Sequence, residues 1–362
     1  MASDPISRRR VLAAAGAGLG GALAGCFNPP QAAEESPSPS PIESDTAAAD
    51  PVGTEVYADV YESVIPSVAL IENENAGQGS GFVFRDHLIT NYHVVQESTS
   101  VHVRYRGHQW EQARVIASDV FADIAVMQPV SLPETAQSLP VRSTVPAVGT
   151  EVLAVGNPLE LSDSVTRGII SGRNRSIPGP TGYSIPNAVQ TDAIIHPGNS
   201  GGPLVDTEGQ VGGGVVSGRA EGIGFAVSAP LVNRIVPALI EDGEYDHPHL
   251  GVVIRPVTPQ LAAANDLPEI RGVYVTDLIE DGPSDGILRG TEPGLEEDDL
   301  PVGGDVIVEL AGEPVATADD LSTILAFETA PGETVPVGIY RDGVYTEVSV
   351  RIGVRPAPDP QD

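Results

Sequence analysis

QTDAIIHPGNSGGPLVD, Gln190 to Asp206, sets a single serine, Ser200, inside a glycine-rich loop. Three readings compete for it. G-N-S-G-G satisfies G-x-S-x-G, the strand-to-helix elbow that presents the nucleophile of an α/β-hydrolase. It also suits a nucleophile loop between two β-strands, or a harmless polar turn. The residues after the serine decide against the elbow. Pro203-Leu204-Val205 and then Asp206-Thr207-Glu208-Gly209 read as strand and turn, where an elbow needs a helix. An elbow also needs its acid and histidine later in the chain, and only His247 and His249 come after Ser200, both at a domain junction.

Upstream, Leu88 to Val95 puts His93 at the end of an apolar run, and Asp123 opens Asp123-Ile124-Ala125-Val126. Acyl-bond hydrolysis needs a nucleophile, a base and donors for the developing oxyanion, and these positions supply candidates for all three. The order His, Asp, Ser is that of chymotrypsin-type double barrels. Asp119 competes with Asp123 for the acid; His87, His102, His108 and His196 lack a comparable local context.

From Glu55 to about residue 244 the chain shows short β-rich runs split by Gly, Pro and Asp: 67–71, 81–84, 151–155 and 210–217, with one helix at Ala229–Glu241. Many short strands at close spacing point to antiparallel barrels or sandwiches. A second unit, residues 245–355, has strand patterns at 251–255, 272–276, 305–310, 334–340 and 345–352, with helices at 259–265 and 318–327. It is long enough to be a small independent domain. Residues 356–362 read as a loose tail.

The stretches Thr90–Val95, Asp123–Val126, Gln190–Leu204 and Gly222–Val227 resemble the HtrA family of trypsin-like serine proteases, over roughly residues 55–354. The resemblance implies a mostly β chain: a chymotrypsin-like double β-barrel (55–244) followed by a small α+β PDZ domain (245–355). It implies a serine endopeptidase acting on misfolded or damaged exported proteins. Carried onto these residues, His93 is the general base, Asp123 orients it and Ser200 attacks. The N–H groups of Gly198 and Ser200 form the oxyanion hole. The specificity pocket takes its wall from Ile195, Ile223 and Phe225, and favours cleavage after small aliphatic residues. Ile194 stands where a trypsin-like pocket carries its acid, and Asp192 is expected to point elsewhere. His196 replaces the family's usual asparagine, as a passive change or as a titrating group beside the loop. In the second unit, Leu250, Gly251 and Val252 resemble a PDZ carboxylate-binding loop, which implies capture of peptide C-termini. An acidic stretch, Thr291 to Leu300, departs from the family pattern. A homotrimer or higher oligomer is implied through Val56, Tyr57 and Tyr61. No metal or organic cofactor is expected. A holdase or peptide sensor with weak or conditional proteolysis is the alternative.

The formal net charge is −31, and all 19 basic residues are arginine. The acid is spread along the chain, which favours a surface adapted to high salt over an acidic recognition face, because at about 1 M salt the Debye length is roughly 3 Å. Such a charge argues against nucleic acid as a partner, since its phosphates would be repelled. At the start, Ser7-Arg8-Arg9-Arg10-Val11-Leu12 resembles a twin-arginine export signal, and the apolar run after it ends in Leu23-Ala24-Gly25-Cys26, a lipobox pattern. Residues 1–26 are thus expected to be an address, with Cys26 lipidated and the protein anchored to the outer face of the cell membrane. Residues 27–54, rich in Pro, Ser and acid, read as a disordered tether. Cys26 is the only cysteine, so no intrachain disulfide exists.

Overall fold

A computed structural model of the chain describes residues 54–74, 77–157, 164–180, 182–220, 222–291 and 300–357. The export-signal pattern, Cys26, the tether through residue 53 and residues 292–299 of the acidic stretch lie outside the described residues. After a helix, α1 (Thr54–Val64), come β1 (Val68–Asn73), β2 (Gly77–Phe84), β3 (His87–Thr90), a short helix α2 (Tyr92–Val95), β4 (Ser100–Tyr105), β5 (Glu111–Asp119) and β6 (Ile124–Pro129). They close into an antiparallel barrel in the order β1-β2-β3-β6-β5-β4. A second barrel comes next, with β7 (Glu151–Gly156), β8 (Ser164–Pro178), β9 (Ser184–Thr191), β10 (Pro203–Asp206), β11 (Val211–Ala220) and β12 (Ile223–Ser228). Its order, β10-β11-β12-β9-β8-β7, repeats that of the first.

The period-two patterning explains why both barrels close. Along β4 the alternate residues Val101, Val103 and Tyr105 are buried, while Ser100 and His102 are exposed. One apolar set fills each barrel, and the residues of the other face meet at a seam. That seam joins Phe82, Ile89 and Val126 of the first barrel to Val155, Val205 and Val227 of the second. Helix α3 (Ala229–Glu241) buries Leu231, Val232, Ile235, Val236 and Leu239 against it. Each side chain of this size stabilises by roughly 1.5–3 kcal/mol when buried. The loops after β3, β5 and β9 converge there.

The second unit has β13 (Pro248–His249), β14 (Val252–Pro256), α4 (Pro259–Ala264), β15 (Val273–Leu278), β16 (Val306–Leu310), β17 (Glu313–Pro314), α5 (Ala318–Glu328), β18 (Thr334–Arg341), β19 (Val344–Arg351) and β20 (Gly353–Val354). The sheet runs β14-β15-β16-β18-β19, with a core of Val273, Val275, Ile307, Leu310, Val337 and Ile339. This unit does not stand apart from the barrels. Its helix α5 packs on β8 and β9. Asp319 at the start of α5 accepts from Ser176 N–H at 2.8 Å and lies 3.7 Å from Arg175. The sequence shows two domains but not these contacts, which join residues more than 140 positions apart.

Candidate active site

The strand that carries the candidate base ends at Thr90, so His93 sits not at a strand end but in the single turn of α2. Asp123 lies between β5 and β6, and pairing of Thr90 with Ala125 brings it beside that turn. Its backbone is left-handed, φ 55°, a conformation that Asp tolerates better than most residues. One carboxylate oxygen accepts from the His93 backbone N–H at 2.9 Å, and the other meets His93 Nδ1 at 2.8 Å. Asn91 Nδ2 donates to Asp123 O at 2.9 Å. A fully buried carboxylate therefore grips both ends of one residue and fixes its ring. An ionised carboxylate can only accept, so Nδ1 carries a proton, and in the neutral ring Nε2 is the nitrogen left with a lone pair. The His93 side chain stays 26% exposed, open to a substrate.

Ser200 lies in the loop between β9 and β10. Three glycines explain how closely the loop packs. A Cβ on Gly201, whose φ is +82°, would come within 2.2 Å of both Ser80 O and Thr90 Oγ1. On Gly202 it would come within 2.3 Å of Val155 O. Gly79, on β2, fills the gap between Val94, next to the candidate base, and the Ser200 carbonyl; a Cβ there would meet them at 2.7 and 3.1 Å. The loop thus rests against the residues that lead into His93. Just before Ser200, Asn199 N–H donates to His196 O at 3.0 Å, and Gly198 has φ +97°. Proline at the second position and positive φ at the third make this a type II turn. Among the described residues, neither Gly198 N–H nor Ser200 N–H has a protein acceptor. The Ser200 hydroxyl donates to Val216 O at 3.0 Å, not to His93. Val216 is the extra residue of a bulge in β11, which turns its carbonyl toward the loop.

Ser80 has no motif to announce it, yet it holds the loop. It is fully buried; its Oγ donates to Gly198 O at 2.7 Å and accepts from Asn157 N–H at 3.0 Å. Its own N–H donates to Ser200 O at 2.7 Å. The only hint in the sequence is a small polar residue between glycines in an otherwise apolar strand.

Asp119 is occupied elsewhere. Its carboxylate meets His247 Nε2 at 2.6 Å in a buried pair and caps the Ala122 N–H at 2.6 Å. Asp192 accepts from Ile169 N–H at 2.6 Å. The three pocket candidates divide between the two faces of β12. Ile195 packs on Gly224, where an added Cβ would lie 2.7 Å from its Cγ1. Ile223 and Phe225 alternate onto the opposite face of β12, and Phe225 joins the seam between the barrels. His196 is exposed. Of the residues expected at a subunit contact, Tyr57 and Tyr61 pack on their own chain's core, and Tyr57 donates to Glu151; Val56 is exposed.

In the second unit Leu250 is buried in the core, Gly251 has φ +75° and Val252 begins β14. A Cβ on Gly251 would come within 2.7 Å of Pro283 Cδ. The loop borders a cleft of ≈ 250 Å³ between β14 and α5, with Ile254, Leu321 and Leu325 on its apolar side.

Comparison with known proteins places this geometry. The trypsin-like peptidase domain family matches residues 79–213, and the PDZ domain family matches residues 248–352. A probable periplasmic serine endoprotease, DegP-like, from Chlamydia muridarum is 32% identical over 299 residues, which are 80% of this chain and 56% of that protein. The chain thus spans little more than half the length of such relatives. The serine endoprotease DegS of Escherichia coli K12 is 31% identical over 290 residues, 77% of each protein by the same measure. The solved structure of the HtrA-type protease AlgW with a tripeptide matches with TM-score 0.68 at 30% identity, covering 84% of this chain and 99% of that one.

Proposed function

The chain belongs to the HtrA family of serine endoproteases, and from that membership we propose that it hydrolyses peptide bonds in misfolded or damaged exported proteins. Ser200 Oγ attacks the scissile carbonyl while His93 Nε2 takes its proton. Asp123 keeps the ring in the tautomer that can do so and stabilises the imidazolium that results. The oxyanion accepts from Gly198 and Ser200 N–H, each such donor being worth about 3–4 kcal/mol in the transition state. His93 then returns the proton to the leaving amine, and water releases the acyl group by the same route in reverse. The observation that carries this reading is the double grip of Asp123 on His93 beside a loop whose two candidate oxyanion donors have no acceptor among the described residues.

Ile195 and the absence of a carboxylate at position 194 support cleavage after Val, Ala or Ile. Selection of this kind is soft, roughly 1–3 kcal/mol per methylene. The PDZ unit binds peptide C-termini at Leu250, Gly251 and Val252. Export by the twin-arginine route, lipidation at Cys26 and a trimeric assembly complete the proposal.

One observation favours conditional proteolysis. The Ser200 hydroxyl donates to Val216 O and must turn to His93 before it can attack. The decisive experiment monitors cleavage of an unfolded substrate such as casein at high salt, with Ser200→Ala as the control. Cleavage that survives in that variant would refute Ser200 as the nucleophile. Suppression of aggregation without hydrolysis under any salt or temperature would favour the holdase.

A further inference from the structure

We infer that Arg355 is the counter-charge for a peptide's C-terminal carboxylate in the cleft between β14 and α5, and so sets the specificity of that site for free C-termini. The inference rests on the peptide-binding reading above and adds a residue that lies beyond the PDZ match of 248–352.

The first observation is a cation without an anion. The chain has 50 acidic residues against 19 arginines, and two other partly buried arginines take carboxylates, while Arg234 takes the Tyr245 hydroxyl and the Phe327 and Thr329 carbonyls. Arg341 bonds Asp305 through two nitrogens at 2.8 and 2.7 Å, and Arg142 bonds Asp206. The Arg355 guanidinium instead lies over the rings of Phe121, at 4.3 Å, and Tyr183, at 5.3 Å. Among the described residues it makes no hydrogen bond and no ion pair. Burial holds its pKa below the ordinary arginine value. Asp119, the carboxylate whose field reaches it, is already bound to His247. Aromatic faces orient a guanidinium and keep its N–H fork free for a planar anion.

The second observation is where that cation sits. Arg355 lines the same cleft as Leu250, Gly251 and Val252. Its backbone N–H donates to His247 O at 2.8 Å, which fixes it beside the short β13–β20 ladder that leads into this loop. Among the described residues the N–H groups of Leu250 and Gly251 have no acceptor. Two free backbone donors and a guanidinium that line one cleft with Ile254, Leu321 and Leu325 suit a carboxylate joined to an apolar side chain. The C-terminal residue of a peptide is that group, and a strand laid along β14 would carry the rest. Phe121, from the loop that leads to Asp123, borders the same cleft, so the bound end touches both domains.

The test uses the full chain with Ser200→Ala, so that the probe stays intact. A fluorescent decapeptide ending in Val is compared, by anisotropy, with the same peptide amidated at its C-terminus. The free acid is expected to bind at least roughly tenfold tighter, as a charge-assisted bond to arginine would give. Arg355→Gln is expected to weaken the free acid about tenfold while leaving the amide unchanged, and Arg355→Lys to restore part of the preference. Equal weakening of acid and amide in Arg355→Gln, or no change in either, overturns the inference, since Arg355 then only supports the cleft wall or plays no part. Failure of both peptides to bind the parent chain overturns the peptide-binding reading itself.

Discussion

Replacing Ser80 by alanine should damage stability and catalysis together. The change deletes the donor to Gly198 O and the acceptor for Asn157 N–H, both at a position with no solvent access. A buried polar group left unpaired costs about 1–3 kcal/mol, so the two together put the loss at roughly 2–4 kcal/mol once the turn relaxes. For a protein body of this size that is a fall in Tm of roughly 3–6 °C. The freed carbonyl belongs to Gly198, whose N–H is the candidate oxyanion donor, in a turn held otherwise by the Asn199 to His196 bond. Complete loss of such a donor lowers kcat about 100- to 1000-fold, and a turn that is loosened but present should lose about tenfold or more. The assay pairs casein hydrolysis at saturating substrate with calorimetry in the same high-salt buffer. A lowered Tm with kcat within about twofold of the parent would refute the coupling of Ser80 to the oxyanion turn. An unchanged Tm would refute the claim that its two partners are left unsatisfied.

The same geometry and charge lead to four other outcomes. Asp123→Asn keeps the shape but can present its amide N–H to His93, and should lower kcat by about 10⁴, whereas Asp119→Asn, bonded to His247, should lower kcat by less than about tenfold; comparable kinetics would undo the assignment. Gly201→Ala forces a Cβ to within 2.2 Å of two oxygens at φ +82°, and should yield no active folded protein, as judged by circular dichroism and casein cleavage. With a net charge of −31, Tm should climb as salt rises from about 0.1 M to about 1 M and the Debye length falls from about 10 Å to about 3 Å; a flat or falling Tm would count against a salt-adapted surface. Burial, aided by the nearby Arg355 charge, lowers the His249 pKa below 6.5, so the folded state binds this proton less readily than the unfolded state. Its contribution to stability is then present above 6.5 and lost as pH falls below it; urea titrations should show that loss, and His249→Phe should reduce it.

The sequence is most readable where chemistry or periodicity is local. Helix α3 falls on Ala229–Glu241 as its apolar spacing requires, and the strand patterns at 151–155 and 334–340 each come within a residue of β7 and β18. The chain order of His93, Asp123 and Ser200 is enough to choose a scaffold. Ser80 escapes because its value comes from partners 77 and 118 residues away. The division of the pocket candidates is different, because its signal is present. Ile223 and Phe225 share a parity in β12, and Gly224 has the other, so a two-residue period already separates them from a residue that packs on Gly224. The resemblance names all three for one pocket; the pleat of β12 sets Ile223 and Phe225 on one face and Gly224, against Ile195, on the other.

The two histidine–aspartate pairs show why position outweighs residue type here. Both use one carboxylate and one ring at short distance, 2.8 Å for His93 and 2.6 Å for His247. They differ in what surrounds the ring. His93 leaves a quarter of its side chain open and rests in a single helical turn against the Ser200 loop, so its free nitrogen can reach a reacting group. His247 is enclosed by Phe121 and Tyr245 in edge-to-face contacts, with ring centroids at 5.3 and 4.8 Å, and its pair holds the approach to the PDZ unit against the first barrel. Asp119 and Asp123 belong to one turn, and the Asp119 cap on Ala122 N–H ties its two ends together. The segment between the last strands of the first barrel therefore serves two neighbours with two carboxylates, the domain junction with one and the candidate base with the other. Through the Asp119–His247 pair, the domain junction is tied to the same turn that ends at Asp123.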